Sequence, residues 1–117
     1  MAEYLPIYKP GQAITLRASA AITGGQLVEV SGSGTVGPAG AASVKVVGVA
    51  AFDAANGDAV TVYNAGVQHA TASGAVTAGD VVQAGAAGTV ASGTTAPVGI
   101  ALTTAANGGD VRYLHTK

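Results

Sequence analysis

The chain has few of the side chains that perform chemistry. Its 117 residues include no cysteine, no tryptophan and one phenylalanine, and charged residues make up 9% of the total. Without cysteine, disulfides, thiolate catalysis and iron–sulfur clusters are excluded. Five lysines and arginines against six acidic residues give a net charge of −1. This is too little positive charge for a phosphate-binding surface, so we predict no nucleic-acid partner.

Long hydrophobic runs are also missing. Glycine, serine, threonine or aspartate interrupts every apolar stretch well before the roughly 18 residues that a transmembrane helix needs. The N-terminal segment lacks the basic and apolar regions of a signal peptide. We therefore expect a soluble protein that is made in the cytoplasm and has no membrane partner.

The few reactive residues do not form a recognisable site. His69 lies in a predicted strand, and His115 lies close to the C-terminus, where chains are usually mobile. Their spacing is not that of a metal-binding pair. The aspartates fall in or beside turns, where their carboxylates accept hydrogen bonds from nearby backbone amides; they are Asp53, Asp58, Asp80 and Asp110. We predict no catalytic, cofactor or metal site, and hence no enzyme.

Short segments rich in valine, separated by glycine-rich turns, predict an all-β fold. The segments are residues 13–18, 26–30, 44–50, 59–63, 67–71, 81–84, 98–102 and 111–114. The dense glycine disfavours helices. It leaves at most one short helical turn, near residues 52–56 or 103–107.

The sequence repeats itself once. The segment AITGGQLV at 21–28 matches AVTAGDVV at 75–82, and the Gly-Thr-Val hairpin at 34–36 recurs in the same register at 88–90. The segment VGVA at 47–50 matches VGIA at 98–101, followed in both places by Ala-Ala-Asn-Gly. Two copies are too few for a solenoid. We predict a small β-barrel or sandwich whose pseudo-repeated halves, about 21–64 and 75–114, share one core.

Residues 1–13 differ from the rest of the chain. They hold large apolar side chains, and Pro6 and Pro10 favour extended backbone. We predict an extended N-terminal arm over residues 1–13, followed by a single β domain over 14–117. The alternative is an edge strand packed on its own domain.

Several segments together resemble the tailed-phage head decoration proteins, also called capsid cement proteins. They are AEYLPIYKPG at 2–11, ITGGQLV at 22–28, VGVA at 47–50 and NGDAVTV at 56–62. The resemblance covers nearly the whole chain. It implies a homotrimer on the outer capsid surface of the virion, which binds the major capsid protein and cements the shell. It also implies that the arm touches the shell, through Glu3, Tyr4, Leu5, Pro6, Ile7 and Tyr8.

Two other functions fit the same composition. One is a tail-tube or fibre structural module. The other is a carbohydrate- or ligand-binding β module, although such sites usually use exposed aromatic side chains and this chain has only four tyrosines and one phenylalanine.

Overall fold

The protein consists of two five-stranded β units that follow one another along the chain. The structure, a computed structural model, describes residues 4–9 and 11–117. The strands of the first half are β1 Ile14–Ala18, β2 Leu27–Gly32, β3 Thr35–Pro38, β4 Val46–Ala50 and β5 Ala59–Tyr63. Those of the second half are β6 Gly66–Thr71, β7 Val81–Ala84, β8 Val90–Ser92, β9 Pro97–Ala101 and β10 Asp110–His115. A 3-10 turn at Ala86–Gly88 precedes β8.

The two halves have the same strand connectivity. The first is a closed barrel in the order β1-β3-β2-β4-β5, in which the parallel pairing of Ala18 with Val36 brings β1 against β3. The second is a sheet in the order β6-β10-β9-β7-β8. Its two ends approach at a single parallel bridge between Ala72 and Val90, which are the repeat equivalents of Ala18 and Val36. The second half is therefore the same barrel with a more open seam.

The repeat extends to individual backbone hydrogen bonds. The Ala18 amide donates to the Asp58 carbonyl at 2.8 Å, and the Ala72 amide donates to the Gly109 carbonyl at 2.8 Å. The turns that end in Gly57 and Gly108 have φ values of 93° and 82° at these glycines. Most side chains would be strained there, so the Asn-Gly pairs are required by the turns. The prediction of an all-β fold with pseudo-repeated halves is confirmed.

The buried apolar side chains form two clusters. One fills the first barrel and consists of Ala18, Ile22, Val28, Val36, Ala50, Ala54, Val60 and Val62. The other fills the second half and also includes Leu27, Ala39, Val46 and Val49 from the first half. Because small residues bury little area each, the core gains stability from joining the two halves.

The predicted strands are confirmed, with bounds that differ only slightly from those expected. β3 and β8, expected only as parts of hairpins, are strands in their own right. The predicted position of a helical turn is wrong. Ala54 and Ala105, which lie in the two proposed stretches, form antiparallel bridges with Ile22 and Val76. These bridges hold the backbone extended at both places, and the 3-10 turn lies elsewhere, at Ala86–Gly88.

Residues 4–9 form no strand, so the structure does not support the edge-strand alternative there. The backbone bends at Ile7 and Tyr8, and the Gln12 amide donates to the Lys9 carbonyl at 3.1 Å. The extended arm and the division into 1–13 and 14–117 remain predictions. Among the described residues, no helix has the length and apolar character needed to cross a membrane.

Candidate interaction surfaces

Within residues 4–9 and 11–117, one contact between a basic and an acidic side chain lies within salt-bridge distance, and it joins His69 on β6 to Asp110 on β10. His69 Nδ1 lies 2.9 Å from Asp110 Oδ1, and both side chains are largely exposed. Exposed pairs of this kind contribute little to stability. The same part of the chain contains no group of three histidine, aspartate or glutamate side chains that could hold a metal ion.

Three of the four aspartates accept a backbone hydrogen bond in a turn, as predicted. Asp58 Oδ2 accepts from the Ala55 amide, and Asp53 Oδ1 accepts from Gly24 in the facing turn. Asp80 Oδ2 accepts from the Thr77 amide at 2.9 Å and from the Ser92 hydroxyl at 2.7 Å. These two bonds, the Ser92 bond first, lower the pKa of the Asp80 carboxyl. These carboxylates therefore stabilise turns. Asp110 differs, because its partner is a side chain.

His115 is not in a mobile tail, contrary to the expectation for a residue so near the C-terminus. It is the last residue of β10, and its side chain is buried next to the buried Tyr113. Tyr113 Oη lies 3.2 Å from His115 Nδ1, and Nε2 has no partner. Burial lowers the pKa of His115 and raises the pKa of the Tyr113 phenol. Both groups are neutral parts of the core and not a surface site.

A groove of about 360 Å³ separates the two halves on one face. Its walls are the turn at residues 23–26, the end of β6 with Asp110, and the segment 87–89. The lining is glycine, alanine, threonine and polar side chains, among them the imidazole of His69, with no phenylalanine or tyrosine. The groove therefore lacks the apolar area that a small-molecule pocket usually provides.

The large apolar side chains before β1 are open to solvent. Ile7 is 92% exposed, Tyr4 85% and Leu5 74%, and Pro6 is also exposed. Tyr8 is less exposed, and its Oη accepts a 3.4 Å hydrogen bond from the Thr15 amide. Glu3, the remaining predicted contact residue, lies outside the described residues. The others thus form a short exposed apolar stretch beside the first barrel.

A second exposed apolar surface was missed by the sequence reasoning. It lies on the outer face of the second half and includes Val67, Ile100 and Leu114. The alternation of exposed and buried residues along β10 was visible in the sequence as a strand pattern. Which of its faces would stay uncovered depended on the packing of the two halves.

Comparison with known proteins identifies the relatives of the chain. Residues 8–115 match a family model described as phage cement protein. The fold matches the crystal structure of the head fibre gp8.5 N base in bacteriophage phi29 with a TM-score of 0.75, over 90% of this chain and 93% of that one. The sequence identity is 20%, so this likeness shows the fold alone. No curated protein sequence matches the chain. Because the family model covers almost all of it, the chain belongs to the phage cement protein family and is a structural component of a phage virion.

Proposed function

We propose that this protein binds the outer surface of a phage capsid and cements the shell, without enzymatic activity. Its direct partner is the major capsid protein, and it acts as a homotrimer. The contact to the shell is made by the arm, through Glu3, Tyr4, Leu5, Pro6, Ile7 and Tyr8. The observation that carries this proposal is the exposure of Tyr4, Leu5 and Ile7, in a chain whose core is filled by other residues.

Burial of these side chains against a shell supplies the binding energy. Apolar area removed from water contributes about 25 cal/mol per Å², and tyrosine is among the residues enriched at interface hot spots. A trimer would present three arms to one lattice, so a second arm would bind at high effective concentration. This mechanism needs no catalytic group, which agrees with the few reactive side chains in the sequence.

The test uses the full chain and expanded capsids of the phage that encodes it. A variant lacking residues 1–9 and the variant Ile7→Asp are each mixed with capsids that lack the protein. Co-sedimentation and electron microscopy then measure the bound copies. We expect both changes to lower occupancy at least about tenfold, as loss of an interface anchor does, while the thermal unfolding temperature stays near that of the unchanged chain.

The matched control is Phe52→Asp, which puts the same charge at an exposed apolar residue outside the arm. It should leave capsid occupancy unchanged. Undiminished binding of the variant that lacks residues 1–9 would exclude the arm from the contact, and failure of the unchanged chain to bind capsids would exclude the cement function.

The likeness to the phi29 head fibre base favours a second candidate, a fibre module. The two candidates predict different images of decorated capsids. A cement protein appears as compact densities at the three-fold positions, whereas a fibre base carries an elongated projection.

A further inference from the structure

An apolar row crosses the outer face of the second half. Leu114 on β10 is directly opposite Val67 on β6 and Ile100 on β9, and Ile100 is opposite Val81 on β7. Residues directly opposite in antiparallel strands point to the same face of a sheet. Val67 is 60% exposed, Leu114 40% and Ile100 39%, and Val81 is half-buried. We call these four residues the outer row.

The first half has a corresponding row at three of the four positions, and the residue equivalent to Val67 is Ala13, just before β1. Leu27, Val49 and Tyr63 correspond to Val81, Ile100 and Leu114 in the alignment of the two repeats, and Leu27 pairs with Val49 and Val49 with Tyr63. Here two of the three residues are covered, whereas Tyr63 at the end of the row is 46% exposed. Leu27 is 0% exposed and Val49 3%, and both belong to the cluster that fills the second half.

The second half covers Leu27 and Val49 with its open seam and its 3-10 turn. The Gly88 amide donates to the Ala39 carbonyl at 2.8 Å, and Gln26 Nε2 donates to the Ala87 carbonyl at 3.0 Å. Ala70 on β6, which borders the seam, and Ala84 on β7 are buried in the same cluster as Leu27. One end of the second barrel thus packs against the outer face of the first barrel.

The matching end of the first barrel has no such cover. Val30 and Leu16 are the repeat equivalents of Ala84 and Ala70. Val30 is 40% exposed, and Leu16 is half-buried. Among the described residues, each copy therefore leaves uncovered one apolar row whose counterpart in the first half is buried at Leu27 and Val49, and one barrel end equivalent to the end that covers those two residues.

From this we infer that the outer row docks on a second copy of this chain, at the barrel end marked by Val30 and Leu16. The contact between copies repeats the contact between halves. The only cover that the described fold shows for such a row is a β unit of this kind. The outer row also has a polar border on one side, because Arg112 and His69 form the next opposed pair on the same face of the sheet. An apolar centre with a polar border is typical of protein–protein interfaces.

A contact between two different surfaces of identical copies is heterologous. Such contacts produce a closed ring when the rotation between copies closes, and a filament when it does not. The inference thus gives the homotrimer of the proposed function a physical interface, and it rests on that proposal for the number of copies.

The test measures self-association by sedimentation and native mass spectrometry. Ile100→Lys and Val67→Lys each place a charge in the outer row, and Val30→Lys places one at the barrel end. Val67 is on an edge strand and mostly exposed, so its variant should fold even where Ile100→Lys does not. We expect each variant to raise the dissociation constant at least about thirtyfold, as loss of a hot-spot side chain does. Phe52→Lys, outside both surfaces, should associate like the unchanged chain.

Mixing separates a heterologous contact from a symmetric one. A Val30→Lys copy keeps an intact outer row, and an Ile100→Lys copy keeps an intact barrel end. Together they should form one-to-one dimers, which neither variant forms alone.

Three results would overturn the inference. The first is an unchanged chain that stays monomeric at about 100 μM, a concentration far above the nanomolar to micromolar dissociation constants of specific complexes. The others are self-association that persists in the Val67→Lys variant, and a mixture of the Val30→Lys and Ile100→Lys variants that stays monomeric. None of them bears on the arm, whose contact with the shell is measured separately by capsid occupancy.

Discussion

The backbone amide of Gly88 donates a hydrogen bond to the carbonyl oxygen of Ala39, and this 2.8 Å bond joins the two halves of the protein. Gly88 has a φ of 75°, and a Cβ built on it would lie 2.7 Å from Gln26 Cβ and 3.0 Å from the Leu27 carbonyl oxygen. The equivalent residue in the first half, Gly34, has a φ of 72° and nothing within 4 Å of such a Cβ. The repeat therefore provides its own control for the contact between halves.

Gly34→Ala should lower the free energy of unfolding by about 1–2 kcal/mol, the cost of a left-handed conformation for a residue with a Cβ. Gly88→Ala should lose that amount and about 1–3 kcal/mol more, because the added methyl overpacks the contact with Gln26 and Leu27. Equilibrium unfolding in urea measures both values. Equal losses of unfolding free energy in the two variants would mean that Gln26 and Leu27 move aside to accommodate the added methyl group at no further cost.

Substitution of leucine by alanine should lower the free energy of unfolding more at the buried Leu27 than at Leu114 in the outer row. Leu27→Ala should cost about 2–5 kcal/mol of unfolding free energy, since a buried leucine leaves a cavity. Leu114→Ala, at a side chain that is 40% exposed, should cost about 1 kcal/mol or less when measured in dilute solution. If the two losses were alike, Leu114 would be as well covered in the single chain as Leu27.

The buried His115 should make stability depend on pH. Burial lowers its pKa in the folded state, so the unfolded chain binds the proton more readily. The free energy of unfolding should therefore be highest above the unfolded pKa of about 6.5 and should fall as the pH drops below it. Urea unfolding at pH 7.5 and pH 5 measures the difference.

The chain has one other histidine, the exposed His69, which serves as the control. His115→Gln should remove most of the difference between the two pH values, whereas His69→Gln should retain it. An unchanged difference in His115→Gln would place the responsible group elsewhere.

Asp80 should contribute a separate dependence on acid. Its folded pKa is lowered by the bonds from Ser92 and Thr77, so its stabilising effect is present above the ordinary value of 3.8 and is lost as the pH falls through the folded value. The equivalent residue in the first half is Gln26, whose Oε1 accepts from the Thr23 amide at 2.8 Å. Asp80→Gln therefore keeps a neutral acceptor in the turn.

This variant should be less stable than the unchanged chain at neutral pH, and the two stability curves should converge towards pH 2. Circular dichroism during urea unfolding at several pH values provides the measurement. Parallel curves would show that the charge on Asp80 does not stabilise the folded state.

Much of the fold is decided by local sequence. Valine-rich segments form strands, and the glycines at 57 and 108 form the turns between them, because strand and turn preferences depend on neighbouring residues. The matching segments also show the repeat and the resemblance to cement proteins, which the family match confirms.

Burial, in contrast, was decided by the tertiary structure. Leu27 and Val81 hold equivalent positions and have similar side chains, yet Leu27 is fully buried and Val81 is half-buried. The reason is that the second half packs against Leu27, whereas nothing in the described chain packs against the outer face of the second half. The position of His115 near the C-terminus predicts a mobile residue. It is instead buried, because β10 pairs with both β6 and β9. A repeated sequence determines repeated strands, but a chain with two copies has only one contact between them. Which copy supplies the covered face, and which keeps it exposed, is therefore a property of the assembled fold.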